Sequence, residues 1–256
     1  MNFDLGALQH PVAMAVALVA FVLGGLVKGT IGVGLPLVVV PLLSLVLPSP
    51  TAIALVSVPV VASNVVQIWQ AAPGSRQIKR FWPLIVCLVA ATVLTVPMTL
   101  ALSPRALNGM LAVAVLLAVA AMAFNPTLVI QPRHEKWASA GVGLLSGLLG
   151  GVSSLTGPVV ITYLSSLRLT REQFVGTISV IYLCGMVPLY LAMAAVGRLG
   201  VSELGLSLLA CLPMFLGMAI GKRLRYRLSE VLFRKLLLAF LVIVALGLLI
   251  THKSEI

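Results

Sequence analysis

Apolar residues along the chain fall into ten runs, roughly 11–28, 35–47, 51–72, 80–102, 105–124, 137–151, 157–167, 171–196, 202–221 and 229–250. Short clusters of Gly, Pro, Ser, Lys and Arg part them. A helix needs about 20 residues to cross the hydrocarbon of a bilayer, and most of these runs have that length. The short alternating segments of a membrane β-barrel do not occur. Runs 35–47, 137–151 and 157–167 are too short to cross, and predict half-helices or re-entrant hairpins. Composition agrees: 61% of residues are hydrophobic and 9% charged, against about a quarter charged in a soluble domain. Mean hydropathy is +1.17. The pattern is that of an all-α integral membrane protein whose surroundings are the lipid bilayer.

The runs repeat. Shifting the chain by 122 residues brings Gly25 onto Gly147, Gly29 onto Gly151, Pro36 onto Pro158, Leu42 onto Leu164, Ser44 onto Ser166, Ser57 onto Ser179 and Arg76 onto Arg198. After four extra residues, "LSPRALNGML" (Leu102–Leu111) resembles "LSEVLFRKLL" (Leu228–Leu237). The chain therefore divides into residues 1–125 and 126–256, two halves of one membrane domain. Each half is a hairpin of short segments followed by three longer helices. A hairpin returns to the side it left, and three crossings then end opposite, so the second half is expected to be inverted relative to the first.

Basic residues orient the pair. With "GSRQIKR" (Gly74–Arg80) in the cytoplasm, "QPRHEKW" (Gln131–Trp137), "SLRLTRE" (Ser166–Glu172) and "GKRLRYR" (Gly221–Arg227) fall there too. Together these loops hold eleven of the seventeen Lys and Arg. Arg105, Arg198 and Lys253 fall outside, and Arg234 and Lys235 can snorkel to the cytoplasmic end of their helix. Both termini are expected outside, with no cleaved signal peptide. The net charge of +11 is thus a topology signal and argues against nucleic-acid binding. Cys87, Cys184 and Cys211 all sit in apolar runs, as small packing residues do.

The stretch "GGLVKGTIGVGLP" (Gly24–Pro36) sets a lysine and several glycines in membrane-grade sequence. Irregular backbone is tolerated at that depth only where protein encloses it. Pro36 and Pro158 suit the first position of a helix, so "IGVGLP" and "SLTGP" each read as an unwound turn followed by a helix start. Two starts meeting near the midplane would aim free N–H groups and positive dipole ends at one point, as for an anion. Lys28, placed in the first turn, would add a formal charge; the alternative is a lysine reaching the headgroups. Gly29, Thr30, Gly32, Gly34, Ser153, Ser154, Thr156 and Gly157 line the two turns, the hydroxyls among them as donors or as caps. On the helices that follow, Ser57, Asn64 and Gln67 share a face, with Thr177, Ser179 and Tyr182 on the matching helix.

No Asp or Glu lies deep in an apolar run, which argues against a carboxylate proton relay. His10, His134 and His252 are terminal or in loops, so no Ser-His-Asp set and no metal cluster is expected, and no cofactor. The P-loop pattern is missing, which argues against ATP hydrolysis.

The segments "GGLVKGTIGVGLPLVVVPLL", "GLLSGLLGGVSSLTGPVVITYL" and "AIALVSVPVVASN" resemble the TauE/SafE sulfite exporter family, also called the TSUP anion transporters, over about Val16–Leu249. The resemblance implies an inner-membrane permease for sulfur-containing anions such as sulfite or organosulfonates. Lys28, Gly29, Gly32, Gly34 and Pro36 match the first-half motif, and Gly150, Gly151, Thr156, Gly157 and Pro158 the second, which has no lysine. Other classes stay open: a passive anion channel, or a membrane enzyme acting on lipid headgroups, for which no nucleophile and base are seen. Oligomeric state is also open, a homo-oligomer included. The charge count makes one prediction at once. A periplasm-active reporter fused after Ile256 will be active and one fused after Arg80 silent; the reverse result overturns the orientation.

Overall fold

The computed structural model describes residues 11–103, 106–107, 109–111, 113–116, 120, 132–153, 156–167, 169–224 and 242. Among them all regular structure is helical: α1 (Pro11–Ile31), α2 (Leu35–Leu43), α3 (Ser49–Leu55), α4 (Ser57–Ala71), α5 (Ser75–Arg80), α6 (Trp82–Ala101), a 3-10 turn (Pro132–His134), α7 (Glu135–Ser153), α8 (Gly157–Ser165), α9 (Arg171–Ala195), α10 (Val201–Leu209) and α11 (Cys211–Leu224). Part of run 105–124 is helical, and Leu111, Ala114 and Val115 are buried in the core. Run 229–250 apart from residue 242, Arg105, Ser154, Arg234, Lys235, Lys253 and both chain ends lie outside the described residues. Among the described residues four stretches are long and apolar enough to cross a membrane: α1, α3 with α4, α9, and α10 with α11.

The element bounds recur at the offset seen in the sequence. Helix α2 runs 35–43 and α8 157–165, 122 apart at both ends; α1 ends at 31 and α7 at 153; α3 begins at 49 and α9 at 171. Each hairpin, however, pairs a long arm with a short one. Helices α1 and α7 have 21 and 19 residues, α2 and α8 nine each. Run 137–151 is therefore longer than its apolar core suggested, because Glu135 and Lys136 extend α7 with a charged first turn. An acidic residue there suits the helix dipole, and Glu135 also takes a two-pronged ion pair from Arg80, the second contact at 3.0 Å. Glu135 beside it holds the Arg80 guanidinium more firmly protonated. Helix α2 carries Pro41 near its end and stops two residues later.

Lys28 is not in the turn, as expected from sequence, but in the last turn of α1. Glycine breaks a solvated helix; here packing overrides that tendency. A Cβ on Gly25 or Gly29 would overlap the carbonyl oxygens of Met214 and Met218, and one on Gly217 or Gly221 those of Val22 and Leu26. Two Gly-x-x-x-Gly faces thus bring α1 and α11 into backbone contact. The same device recurs with the roles of the repeats exchanged: Gly143 and Gly147 of α7 press on the Leu84 and Leu88 carbonyls of α6. These are the two most extensive helix contacts among the described residues, followed by α4 with α9.

Helices α4 and α9 run antiparallel. Ala71 meets Gly176, and one turn on Ser179 Oγ donates to Gln67 Oε1 at 2.9 Å. Two apolar clusters fill the remaining space. One gathers the first hairpin around Val39, Leu43 and Met186; the other gathers Phe81, Val160, Ile178 and Tyr182, and takes in Val33 from the first hairpin's turn. Helix ends carry polar caps. Thr170 and Gln173 form a capping box on α9, and Glu203 accepts from the Gly200 N–H at the start of α10 at 3.0 Å. Trp69, Trp82 and Trp137 stand 82%, 61% and 80% exposed at the ends of α4, α6 and α7, the usual place of interfacial anchors.

The glycine contacts yield a stability prediction. Gly217→Val will lower the thermal unfolding midpoint in detergent, by the equivalent of about 1–3 kcal/mol or more, since overpacking forces the backbones apart. Gly141→Val will change it little, because a Cβ there meets nothing within 4 Å. Equal midpoints for the two variants would remove the close-contact account.

Candidate functional site

Residues at 24 and 28 share one stripe of α1 and those at 25 and 29 the next. The second stripe is committed to α11, so the first turns inward: Gly24 meets Leu35 and Val39 of α2. Lys28 is 1% exposed and its Nζ donates to Asn64 Oδ1 at 2.8 Å. Asn64 is held in turn by its own Nδ2, which donates to Val60 O at 2.9 Å. Two residues singled out in the sequence thus form one buried polar pair across two helices. The lysine does not reach outward toward headgroups. Asn64 stands seven residues inside the end of α4, about 10 Å along the helix.

Gly32 and Gly34 carry the chain from α1 into α2 with φ of 97° and 101°, dihedrals that cost a residue with a Cβ. Gly34 caps α2, and Pro36 is its second residue rather than its first. Thr156, buried, stands in the same place before α8, with Gly157 first and Pro158 second. Neither helix start receives a side-chain cap. The space that a Cβ on Gly157 would need is taken by the Tyr182 hydroxyl. That hydroxyl is buried and has no hydrogen-bond partner among the described residues. A buried unpaired donor beside an uncapped helix start is a place for an acceptor.

The antiparallel run of α4 and α9 relates the two groups. From the Gln67–Ser179 bond, Asn64 and Tyr182 each lie three residues on, in the same direction along the bundle. They therefore stand at the same level, on neighbouring helices. Thr30 reinforces the lysine's end of α1. Its hydroxyl donates to Leu26 O at 2.8 Å and Gly221 O at 3.2 Å, and its carbonyl accepts from Arg171 Nη2 at 2.9 Å. Arg171 was not singled out from sequence, where it counted only as a loop charge.

The other candidates serve different contacts. Gly29 packs on α11. Ser57 bonds Ser207 of α10 at 3.3 Å, two turns from Asn64. Thr177 accepts from Gln77 Nε2. Ser153 ends α7, and Ser154 lies outside the described residues. Sequence reasoning overlooked Ser207 and Gln77, which gave no periodic signal, and Gly217 with Gly221, which did, by their four-residue spacing. No group of His, Cys, Asp or Glu able to hold a metal occurs among the described residues.

The family description "Sulfite exporter TauE/SafE" matches residues 16–248. The chain belongs to the TauE/SafE family. No curated protein and no solved structure matches it. Membership makes this an integral, multi-pass membrane protein of the anion-exporter type of transporter. The Tyr182 hydroxyl, without a hydrogen-bond partner among the described residues, offers a test that tells a binding role in this TauE/SafE chain from a structural one. Tyr182→Phe will leave the unfolding midpoint unchanged or raise it, since a buried orphan donor is unfavourable. It will weaken anion binding about 10-fold or more, the loss expected for a hydrogen bond to a charged acceptor. A lower midpoint with unchanged anion affinity would make Tyr182 structural.

Proposed function

We propose that this TauE/SafE protein is a secondary transporter for small sulfur-containing oxyanions, sulfite or short organosulfonates. The anion head lies between the Lys28–Asn64 pair, the start of α2 and the start of α8 with Tyr182. The observation that carries this reading is the burial of Lys28, whose one hydrogen-bond partner among the described residues is a neutral amide. An enclosed ammonium of this kind is expensive without a counter-ion. The helix starts add backbone N–H groups, which recognise an oxyanion head and place few demands on its tail.

The two repeats are read as inverted, around an axis between α4 and α9. Their antiparallel run supports this, because these helices are equivalents under the 122-residue offset. The moving units are not the sequence halves. Helix α1 is packed against α11 and α7 against α6, so each hairpin travels with a helix of the other half. The rearrangement that alternates access therefore falls between the α1–α11 and α6–α7 pairs, around α4 and α9. The orientation follows the basic loops, with Arg80, Glu135 and the exposed tryptophans at the cytoplasmic face of the inner membrane.

Purified protein in liposomes tests the reading. Radiolabelled sulfite will accumulate by counterflow against a preloaded anion; a passive channel would give none. Methanesulfonate will compete and neutral sulfur compounds will not. Lys28→Ala will fold and insert but lose transport by at least 10-fold, while Lys28→Arg will keep part of it. Full transport in Lys28→Ala would overturn the site.

A further inference from the structure

The site must handle its own positive charge through a whole cycle, including the return without cargo. Of the six acidic residues in the chain, Asp4, Glu230 and Glu255 lie outside the described residues. Glu135 is paired with Arg80, Glu172 is exposed in the first turn of α9, and Glu203 is spent on the Gly200 N–H. Helices α2 and α4, packed around Lys28, contribute no titratable side chain. Helix α11 contributes Cys211 at its start and Lys222 and Arg223 in its last turn. Helix α9 contributes Arg171, whose guanidinium sits on Thr30 O, two residues from Lys28, and further along Tyr182, Cys184 and Tyr190. Among the described residues, the charged group tied to this end of α1 is a cation, Arg171. An ammonium at Lys28 has no ion-pair partner among them. Its hydrogen bond does not need the charge, because an uncharged amine N–H donates to Asn64 Oδ1 as well as an ammonium does.

Resting on the anion reading above, we propose that Lys28 loads a proton together with the anion, so that the protein moves one proton with each monovalent anion. On the loading side the amine takes a proton from water as the anion settles against it. On the release side both leave, and the neutral amine, still bonded to Asn64, returns. The cargo is then electrically neutral in sum, and flux follows the anion and pH gradients rather than the membrane voltage. The equivalent positions in the other repeat support a single proton. Offset by 122, Lys28 becomes Gly150 and Asn64 becomes Met186, and a Cβ on Gly150 would lie 3.6 Å from the Met186 methyl. Neither position carries an ionisable group.

Vesicles holding purified protein and a trapped pH-sensitive dye decide it, with methanesulfonate as probe because it stays ionised and brings no proton of its own. For wild type, influx will acidify the lumen by one proton per anion, will speed up when the outside is made more acid, and will ignore a potassium–valinomycin potential. Lys28→Arg, charged throughout, will move the anion without acidification and will respond to the potential. Should that variant be inactive, equilibrium binding to wild type serves instead. Affinity will fall about tenfold for each pH unit of alkalinisation, one proton being linked to one anion. Wild-type influx without acidification, influx driven by voltage, or a pH-independent affinity overturns the proposal. Should neither methanesulfonate nor sulfite move or bind, the anion reading falls and this proposal with it; flux without protons removes the proposal alone.

Discussion

The backbone contact between α1 and α11 is the constraint on which the rest of this molecule turns. Gly25 and Gly29 lie against the carbonyls of Met214 and Met218, and Gly217 and Gly221 against those of Val22 and Leu26. In lipid, apolar faces gain little from meeting each other, so helices associate where close approach multiplies dispersion contacts. That contact sets the rotation of α1. With the 25/29 stripe given to α11, the 24/28 stripe turns toward α2 and α4, and Lys28 comes to lie inside the protein. The same contact keeps α1 helical through three glycines and up to Ile31. Thr30 then ties the end of α1 to Gly221, and Arg171 ties it to α9. Lys28 is thereby brought within hydrogen-bond reach of the Asn64 amide.

The scaffold repeats but the chemistry does not. Helix bounds agree at the 122-residue offset, and the α6–α7 contact reproduces the α1–α11 contact with glycines on α7. Around the site, four equivalences differ in kind: Lys28 with Gly150, Asn64 with Met186, Gly34 with Thr156, and Val60 with Tyr182. The first repeat supplies the cation and the amide, the second the unpaired hydroxyl. In the proposed inverted-repeat transporter, one cation near the axis between the repeats would serve both ways of opening, and a second would leave an uncompensated charge when one anion is bound.

Hydropathy and spacing by themselves determined the class, the order of the elements and the repeat, because a bilayer demands long apolar helices and leaves little freedom in how they are written. The motif around Gly24–Pro36 also led to the helix starts, since a positive-φ turn and a proline near the start of a helix are local requirements. Sequence placed Lys28 in the turn and took α7 as short, for a related reason. Glycine and charged residues were read by their behaviour in water, where they end helices. In the fold, packing against α11 holds α1 helical past them, and the Arg80 ion pair favours a charged first turn on α7. Only tertiary structure decided that Lys28 meets Asn64, 36 residues away, that the Tyr182 hydroxyl fills the space beside Gly157, and that each hairpin belongs with a helix of the other repeat. These are contacts between helix faces. One chain's pattern states which residues share a face, but the partner of that face is chosen by shape, by which carbonyl a glycine lets in.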